Sequence, residues 1–351
     1  KELPAGFEYI FATPRMERYI ERSSEVINIM LSFVSEEDIH VYSIDEAFID
    51  LTSYLSYYHK DAYQLTKLIM DTIKEKTGLQ ATGGIGDNFF LAKVALDVYA
   101  KHEKDGIAVM HKNDVETKLW PITPLTKIWG IGERTAAKLN NMGIYNVYDL
   151  AHANKEYFIA RFGIMGEQLI NQANGIDEAD IHEIYIPKET SISLGQTLHE
   201  DYSSKKAEYL LREMNDDLSE KLRGQKQTTS LISVAVGYSS NQGGFSRQMS
   251  LLKPTNDTNV LYEAIIELYR KHVSDLPIRA IHISYGKLKD YKDYRQLDIF
   301  TSVEQEENTR QLNKMIDYLH NKYDKNIILR ANSLLEGTAK ERHEQIGGHR
   351  K

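Results

Sequence analysis

Apolar residues recur at helical spacing along some stretches of the chain and crowd into short β-rich runs along others. From Arg15 to Val34 they fall at Met16, Ile20, Ile27, Met30, Leu31 and Val34, a stripe on one helix face. Two β-rich runs follow, His40–Ile44 and Ala47–Leu51, close enough together to predict an antiparallel hairpin. Asp61 to Thr77 predicts a second helix, with Leu65, Leu68, Ile69 and Ile73 on one side. Leu79–Ile85 predicts a strand, Leu91, Val94, Ala95 and Val98 a helix, and Ile107–Val109 a short strand. The order α-β-β-α-β-α-β predicts an α+β layer, with helices on one face of a largely antiparallel sheet.

Pro121 and Pro124 break this pattern, and the stretch from Leu125 to Gly175 is short-helical and punctuated by glycine. Pro187 opens a third region. Strand signals at Thr190–Leu198, Ser230–Tyr238, Phe245–Leu252 and Ala280–Tyr285 alternate with helix signals at Lys205–Leu222 and Val260–Val273. That order is βαββαβ, the ferredoxin-like arrangement. A further helix is predicted around Glu304–Tyr323. The pattern divides the chain into residues 1–120, 121–186, 187–290 and 291–351.

Composition narrows the function classes. The chain has 351 residues, a net charge of -8 and no cysteine. The absence of cysteine removes disulfides, thiolate metal sites and thiol catalysis. No apolar run approaches the roughly 18 residues of a membrane span, and Lys1-Glu2-Leu3-Pro4 carries no apolar export signal, so the expected location is the cytoplasm. Net acidity argues at first against nucleic acid as a partner. It is unevenly distributed, however: residues 1–120 hold 13 basic and 20 acidic residues, whereas residues 187–300 hold 16 and 15. Cations gathered on one face of the later segments could still follow phosphates.

The sharpest local signal is Tyr42-Ser43-Ile44-Asp45-Glu46-Ala47-Phe48-Ile49-Asp50. Adjacent carboxylates on an extended strand point to opposite faces, so a turn is required before Asp45 and Glu46 can serve one site. Hard divalent cations take oxygen ligands, and Mg²⁺ typically takes one or two protein carboxylates plus substrate phosphates. A bare Asp-Glu pair would otherwise be read as a turn; the residues around it change that reading.

Val41 to Thr52 resembles the palm motif of Y-family translesion DNA polymerases, in which this Asp and Glu are metal ligands of nucleotidyl transfer. Gly84-Ile85-Gly86-Asp87-Asn88-Phe89-Phe90-Leu91-Ala92-Lys93-Val94-Ala95 is similar to the family's strand–turn–helix, where a lysine at the position of Lys93 contacts the incoming triphosphate. Without that context Lys93 would be a solvated helix lysine. Phe89, where many members have lysine, fits the UmuC-like (ImpB/MucB/SamB) branch of Gram-positive bacteria and their plasmids or phages.

Leu125 to Leu139, closing at Met142-Gly143-Ile144, resembles a helix–hairpin–helix. Glycines at Gly130 and Gly132 let backbone N–H groups approach a phosphate where a Cβ would clash, and Arg134 and Lys138 lie four apart on the following helix. Phe162-Gly163-Ile164-Met165-Gly166 is a weaker second copy. The region from Pro187 resembles the family's little finger, with Arg223, Lys226, Arg247 and Lys253 as collective candidates for phosphate contact. Gln296-Leu297-Asp298-Ile299-Phe300, after a polar linker Lys289–Arg295, resembles the pentapeptide that docks bacterial polymerases on the β sliding clamp.

The resemblance implies a partial polymerase palm, a small all-helical helix–hairpin–helix thumb, a ferredoxin-like little finger, and a clamp-binding linker with a C-terminal tail. It implies an error-prone DNA-directed DNA polymerase of DNA-damage repair and SOS tolerance. Asp45 and Glu46 would hold two Mg²⁺, Ser43 would sit beside the primer end, and Lys93 would hold a dNTP. Primer–template DNA and the sliding clamp would be partners, with no membrane. The family begins with a strand bearing another metal-binding Asp, then an aromatic steric gate and a fingers domain. Phe7–Pro14 already looks like the stretch before the second palm helix. The expectation is therefore an N-terminally truncated chain with little activity of its own. The alternative is a non-catalytic module that binds DNA and the clamp. A palm-like nucleotidyl cyclase or a helix–hairpin–helix nuclease would have no use for a clamp pentapeptide.

Overall fold

A computed structural model describes residues 14–183, 190–240, 242–291 and 303–334, together with residues 345–346 and 349–350. The chain forms two compact units, one over Arg18–Tyr185 and the other over Ile186–Lys351 with Lys1–Glu17.

In the first unit, helix α1 (Met16–Met30) is followed by strands β1 (Ile39–Val41) and β2 (Ala47–Ile49), short helix α2 (Tyr54–Tyr58), and helix α3 (Ala62–Thr77). The Asp61 side chain accepts from Gln64 N, Gln64 answers with a bond to the Asp61 N–H, and Gly78 at φ 73° closes α3. Leu65, Ile69 and Ile73, one turn apart, are buried with Ile29 of α1. Strand β3 (Gly83–Gly86) then leads into α4 (Phe89–Val94), a π-helical turn over Ala95–Tyr99, and strand β4 (Ile107–Met110).

The four strands do not make the expected, largely antiparallel sheet. Among the described residues β1 and β2 pair antiparallel as a hairpin, while β3 and β4 pair parallel as a separate two-stranded sheet. The reason lies in the connection. A parallel pair requires a crossover, and α4 with its π turn supplies one, making β3-α4-β4 a βαβ unit. Strand β3 is also shorter than expected, because Leu79 to Thr82 are not paired.

Helices α5 (Glu133–Asn140), α6 (Val147–Ala151), α7 (Lys155–Phe162) and α8 (Ile164–Ala173) complete this unit. One apolar core runs through it: Phe90, Leu91, Val94 and Met110 join Leu119, Leu125, Ile128, Leu139, Leu150, Phe158 and Leu169. The β3–α4 turn is tied to the far end of the helices by Asn88, whose amide donates to Gly175 O at 2.9 Å. The Phe90 N–H donates to Asp177 at 3.1 Å. Beyond α8, His182 lies 2.9 Å from Asp38 and 3.0 Å from Asp180, and Tyr54 OH donates to Asp38.

The second unit has the expected βαββαβ order: β5 (Ile192–Tyr202), α9 (Ser204–Gly224), β6 (Gln227–Tyr238), β7 (Gly244–Thr255), α10 (Thr258–His272) and β8 (Ile278–Gly286). The antiparallel sheet runs β5-β8-β6-β7. One face, with Ile232, Val234, Val236, Ile281, Ile283 and Tyr285, packs with Leu211, Met214 and Leu218 of α9 and Leu261 and Ile265 of α10. The opposite positions are mostly small, with Ser193, Gly195 and Thr197 on β5, Ala280 and Ser284 on β8, and Ser233, Ala235 and Gly237 on β6; His282 of β8 is the exception, its ring beside Gly195. The first two linker residues, Lys289 and Asp290, form strand β9 against Thr228 and Gln227. Helix α11 (Val303–Lys322) follows, where a tail helix was expected. It is held to α9 by Asp317, which takes a bidentate pair from Arg223 at 2.6 and 2.7 Å, and by His320, 2.9 Å from Glu220.

Two outcomes follow. A Cβ at Gly84 would lie 2.2 Å from Ala92 O and 2.5 Å from Leu96 N. Gly84→Ala therefore forces α4 off β3 and destabilises the first unit by about 2 kcal/mol or more, read as an earlier urea transition of that unit. The contact of His182 with Asp38 and Asp180 is pH-dependent. Hydrogen bonds accepted by the two carboxylates from its ring raise the His182 pKa. Bonds from Tyr54 and His182 lower that of Asp38, and bonds from His182 lower that of Asp180. The histidine's contribution is full below its ordinary pKa of about 6.5 and is lost as pH rises through its raised value. The carboxylates' contribution is full above about 4 and is lost as pH falls through their lowered values. The stability difference between wild type and His182→Gln is therefore largest between about pH 4 and 6.5, and an NMR titration places the His182 pKa above the ordinary value.

Candidate active site

The hairpin between β1 and β2 brings the adjacent carboxylates to one end of the strand pair. The Tyr42 and Ser43 N–H groups both donate to Glu46 O, at 3.0 and 3.1 Å, so Ser43-Ile44-Asp45 form the bend. Asp45 therefore lies in a turn and Glu46 at its exit, so the pair is not confined to the opposite faces of an extended strand. Ser43 Oγ donates to Asp45 Oδ1 at 2.7 Å, fixing that carboxylate against the turn.

Lys93 comes from the other motif. Gly84 and Gly86 present no side chain to α4, so the helix lies directly on β3, and a Cβ at Gly86 would stand 2.4 Å from Ala92 N. Asn88 caps the helix by accepting from Leu91 N at 2.9 Å. The result is a lysine with a side chain only 7% exposed, its ammonium 2.5 Å from Glu46 and 3.1 Å from Asp97. Burial alone would lower its pKa. Hydrogen bonds to Glu46 and Asp97 outweigh that, and the pKa sits above the ordinary lysine value. Lys93 is thus not a solvated helix lysine. It joins two motifs that lie 47 residues apart.

Aromatic rings wall the hairpin. Phe48 and Phe89 meet edge-to-face with centroids 4.7 Å apart. Trp129 donates its indole N–H to Tyr42 OH at 3.1 Å and lies edge-on to the Tyr42 ring. Trp129 immediately precedes Gly130, so the hairpin carrying Asp45 is joined directly to the start of the helix–hairpin–helix. The Trp129 bridge and Asp97 escaped the sequence reading. Asp97 could have been found from its i+4 spacing to Lys93; the Trp129–Tyr42 contact had no signal.

Asp45 and Glu46 offer hard oxygen donors of the kind Mg²⁺ takes alongside phosphates, and in that respect they fit the ion. Among the described residues no group of three or more His, Asp or Glu side chains is arranged to hold a metal.

Gly130 has φ 86° and Gly132 is the N-cap of α5, with open space where each Cβ would stand. Arg134 and Lys138 are exposed on α5. The weaker copy forms too: Gly163, at φ 64°, joins α7 directly to α8. Arg247 is exposed on edge strand β7, where Lys253 also stands. Arg223 needs a correction. Its guanidinium is spent on Asp317, Thr258 Oγ1 and Asn256 O, so it serves the tail and not phosphate. Its position on α9, facing α11, explains this. Gln296 to Phe300 lie outside the described residues, as does much of Thr338–His349. No helix among the described residues is long and apolar enough to cross a membrane.

Residues 4–97 match the impB/mucB/samB family, residues 112–144 the IMS family HHH motif, and residues 189–299 the impB/mucB/samB family C-terminal domain. A Bacillus subtilis protein named for UV-damage repair, UvrX, is 34% identical over 99% of this chain and 83% of its own length. DNA polymerase IV 2 of the same organism is 31% identical over 98% of this chain and 83% of its own. A solved Y-family DNA polymerase chimera superposes with a TM-score of 0.62 at 22% identity, covering 79% of this chain and 78% of that one.

Proposed function

The chain belongs to the impB/mucB/samB family of Y-family translesion DNA polymerases, DNA-directed DNA polymerases of DNA repair, and from that premise we propose that the β1–β2 hairpin and Lys93 form its nucleotidyl-transfer site. The observation that carries this reading is the 2.5 Å contact between Glu46 and Lys93. It joins an acidic turn to a phosphate-seeking cation.

Asp45 and Glu46 would hold Mg²⁺. When bound, a pair of such ions lowers the cost of the primer hydroxyl's attack and stabilises the leaving phosphate. The work of the chain is positioning and charge placement. The Ser43 hydroxyl orients Asp45 and would lie beside the primer terminus. Lys93, buried beside Glu46, would offer its ammonium to the triphosphate. The aromatic wall of Tyr42, Phe48, Phe89 and Trp129 keeps the hairpin in register with the helix–hairpin–helix. Exposed N–H groups at Gly130 and Gly132, with Arg134 and Lys138, would grip a backbone phosphate irrespective of sequence. In the second unit, Arg247 at the sheet edge and the open sheet face of Ser, Thr, Gly and Ala residues suit a closely approaching duplex. Apart from His282, the small side chains of this face leave hydroxyls to donate. Gln296-Leu297-Asp298-Ile299-Phe300 would place Leu297, Ile299 and Phe300 as apolar anchors for the sliding clamp.

Primer extension by the full-length protein tests the site. Asp45→Ala with Glu46→Ala lowers extension by about a hundredfold or more, with primer–template affinity retained; unchanged extension overturns the assignment. Deletion of Gln296–Phe300 abolishes binding to immobilised sliding clamp and leaves DNA affinity nearly intact. Retained clamp binding would remove the pentapeptide from the scheme.

A further inference from the structure

Lys93 has two anionic partners, and the proposed chemistry uses one. Its side chain is 7% exposed, against 31% for Glu46 and 33% for Asp97, so the cation is the most deeply buried of the three. Asp97 reaches it from the π-helical turn Ala95–Tyr99, four residues further along the same helical run. Turns of this kind often mark functional positions. The ammonium also stands 5.9 Å from the centre of the Tyr42 ring, on the wall of the hairpin.

This arrangement has a consequence when Glu46 takes up a cation. Glu46 can no longer neutralise Lys93, and a buried ammonium stripped of its counter-ion is costly. Without a second anion, Lys93 would stay on Glu46 and compete with the metal, or turn away from the hairpin. We infer that Asp97 is a positioning residue. It retains the Lys93 ammonium at the mouth of the hairpin while Glu46 changes partners, and so makes the exchange from carboxylate to triphosphate inexpensive. Asp97 touches neither substrate nor metal; it acts through Lys93. The inference rests on the proposed roles of Glu46 and Lys93, and its test separates the two.

The test is binding of a fluorescent dNTP to the full-length protein on a primer lacking its 3′-hydroxyl, in Mg²⁺, so that no turnover intervenes. Asp97→Asn keeps the shape of the side chain and removes its charge. It weakens dNTP binding about tenfold, leaves primer–template binding unchanged, and is largely restored by Asp97→Glu. In a Lys93→Ala background Asp97→Asn has almost no further effect, because the residue it acts through is gone. In the ¹⁵N spectrum of lysine ammonium groups, the Lys93 signal broadens or shifts in Asp97→Asn even without nucleotide. Wild-type dNTP affinity in Asp97→Asn, or an undiminished loss in the Lys93→Ala background, overturns the inference. If Lys93→Ala itself binds dNTP normally, the site assignment fails. If Lys93→Ala is defective and Asp97→Asn is not, the role of Asp97 alone is lost.

Discussion

The close approach of α4 to β3 governs the geometry of the first unit's site. Two glycines, Gly84 and Gly86, remove every side-chain atom from the strand face beneath the helix, and the backbone of Ala92 and Leu96 fills that space. Lys93, the residue after Ala92, is thereby pressed against the acidic hairpin. A buried ammonium requires anions within hydrogen-bond reach, and here it finds Glu46 and Asp97. Neither carboxylate is placed by local sequence alone. Glu46 is set by a three-residue bend between strands, and Asp97 by a π turn. The charged trio is therefore a tertiary product of a strand, a bend and a helix, and it holds only while α4 stays seated on β3.

The same dependence explains what could be read from the sequence. Helices with a one-sided apolar stripe were legible, as in α3, whose capping by Asp61, Gln64 and Gly78 the fold then showed. So was the hairpin, because two β-rich runs separated by a polar bend have few other ways to satisfy their backbone. The pairing of β3 with β4 was not legible. Periodicity identifies a strand but not its neighbour, and a four-residue strand rich in glycine carries almost no register information. The roles of single cations were equally hidden. Arg223 and Arg247 look alike in sequence, yet one faces Asp317 and is neutralised within the fold, while the other stands exposed on an edge strand. Separation in sequence is the cause, since the partner of Arg223 lies 94 residues away.

Net charge misleads for a related reason. The acidic excess belongs chiefly to the first third of the chain, which contains the residues proposed to hold cations. Surfaces suited to a nucleic-acid backbone need not be strongly basic where the contact is made by N–H groups and small side chains. The helix–hairpin–helix turn has glycines with open space above them. The open face of the second unit's sheet is largely Ser, Thr, Gly and Ala, with His282 among them. On the proposed reading, each arrangement would let a phosphodiester chain come close with little displacement of long side chains.

A self-neutralised site is also a matter of timing. With Lys93 seated between Glu46 and Asp97, the ligand-free hairpin does not carry bare carboxylates that repel each other, nor a buried cation without a partner. On the proposed reading, occupation would exchange like for like: a cation for an ammonium at Glu46, a phosphate for a carboxylate at Lys93. Each exchange would replace one strong contact with another, so the buried lysine would not be left without an anion. A site with an unpaired lysine would bind anions at any time and would require the hairpin to bear its own negative charge. On that reading, pairing the two motifs in the resting fold would make nucleotide and cation each easier to accept in the presence of the other, the coupling a metal-dependent transfer of a charged group requires.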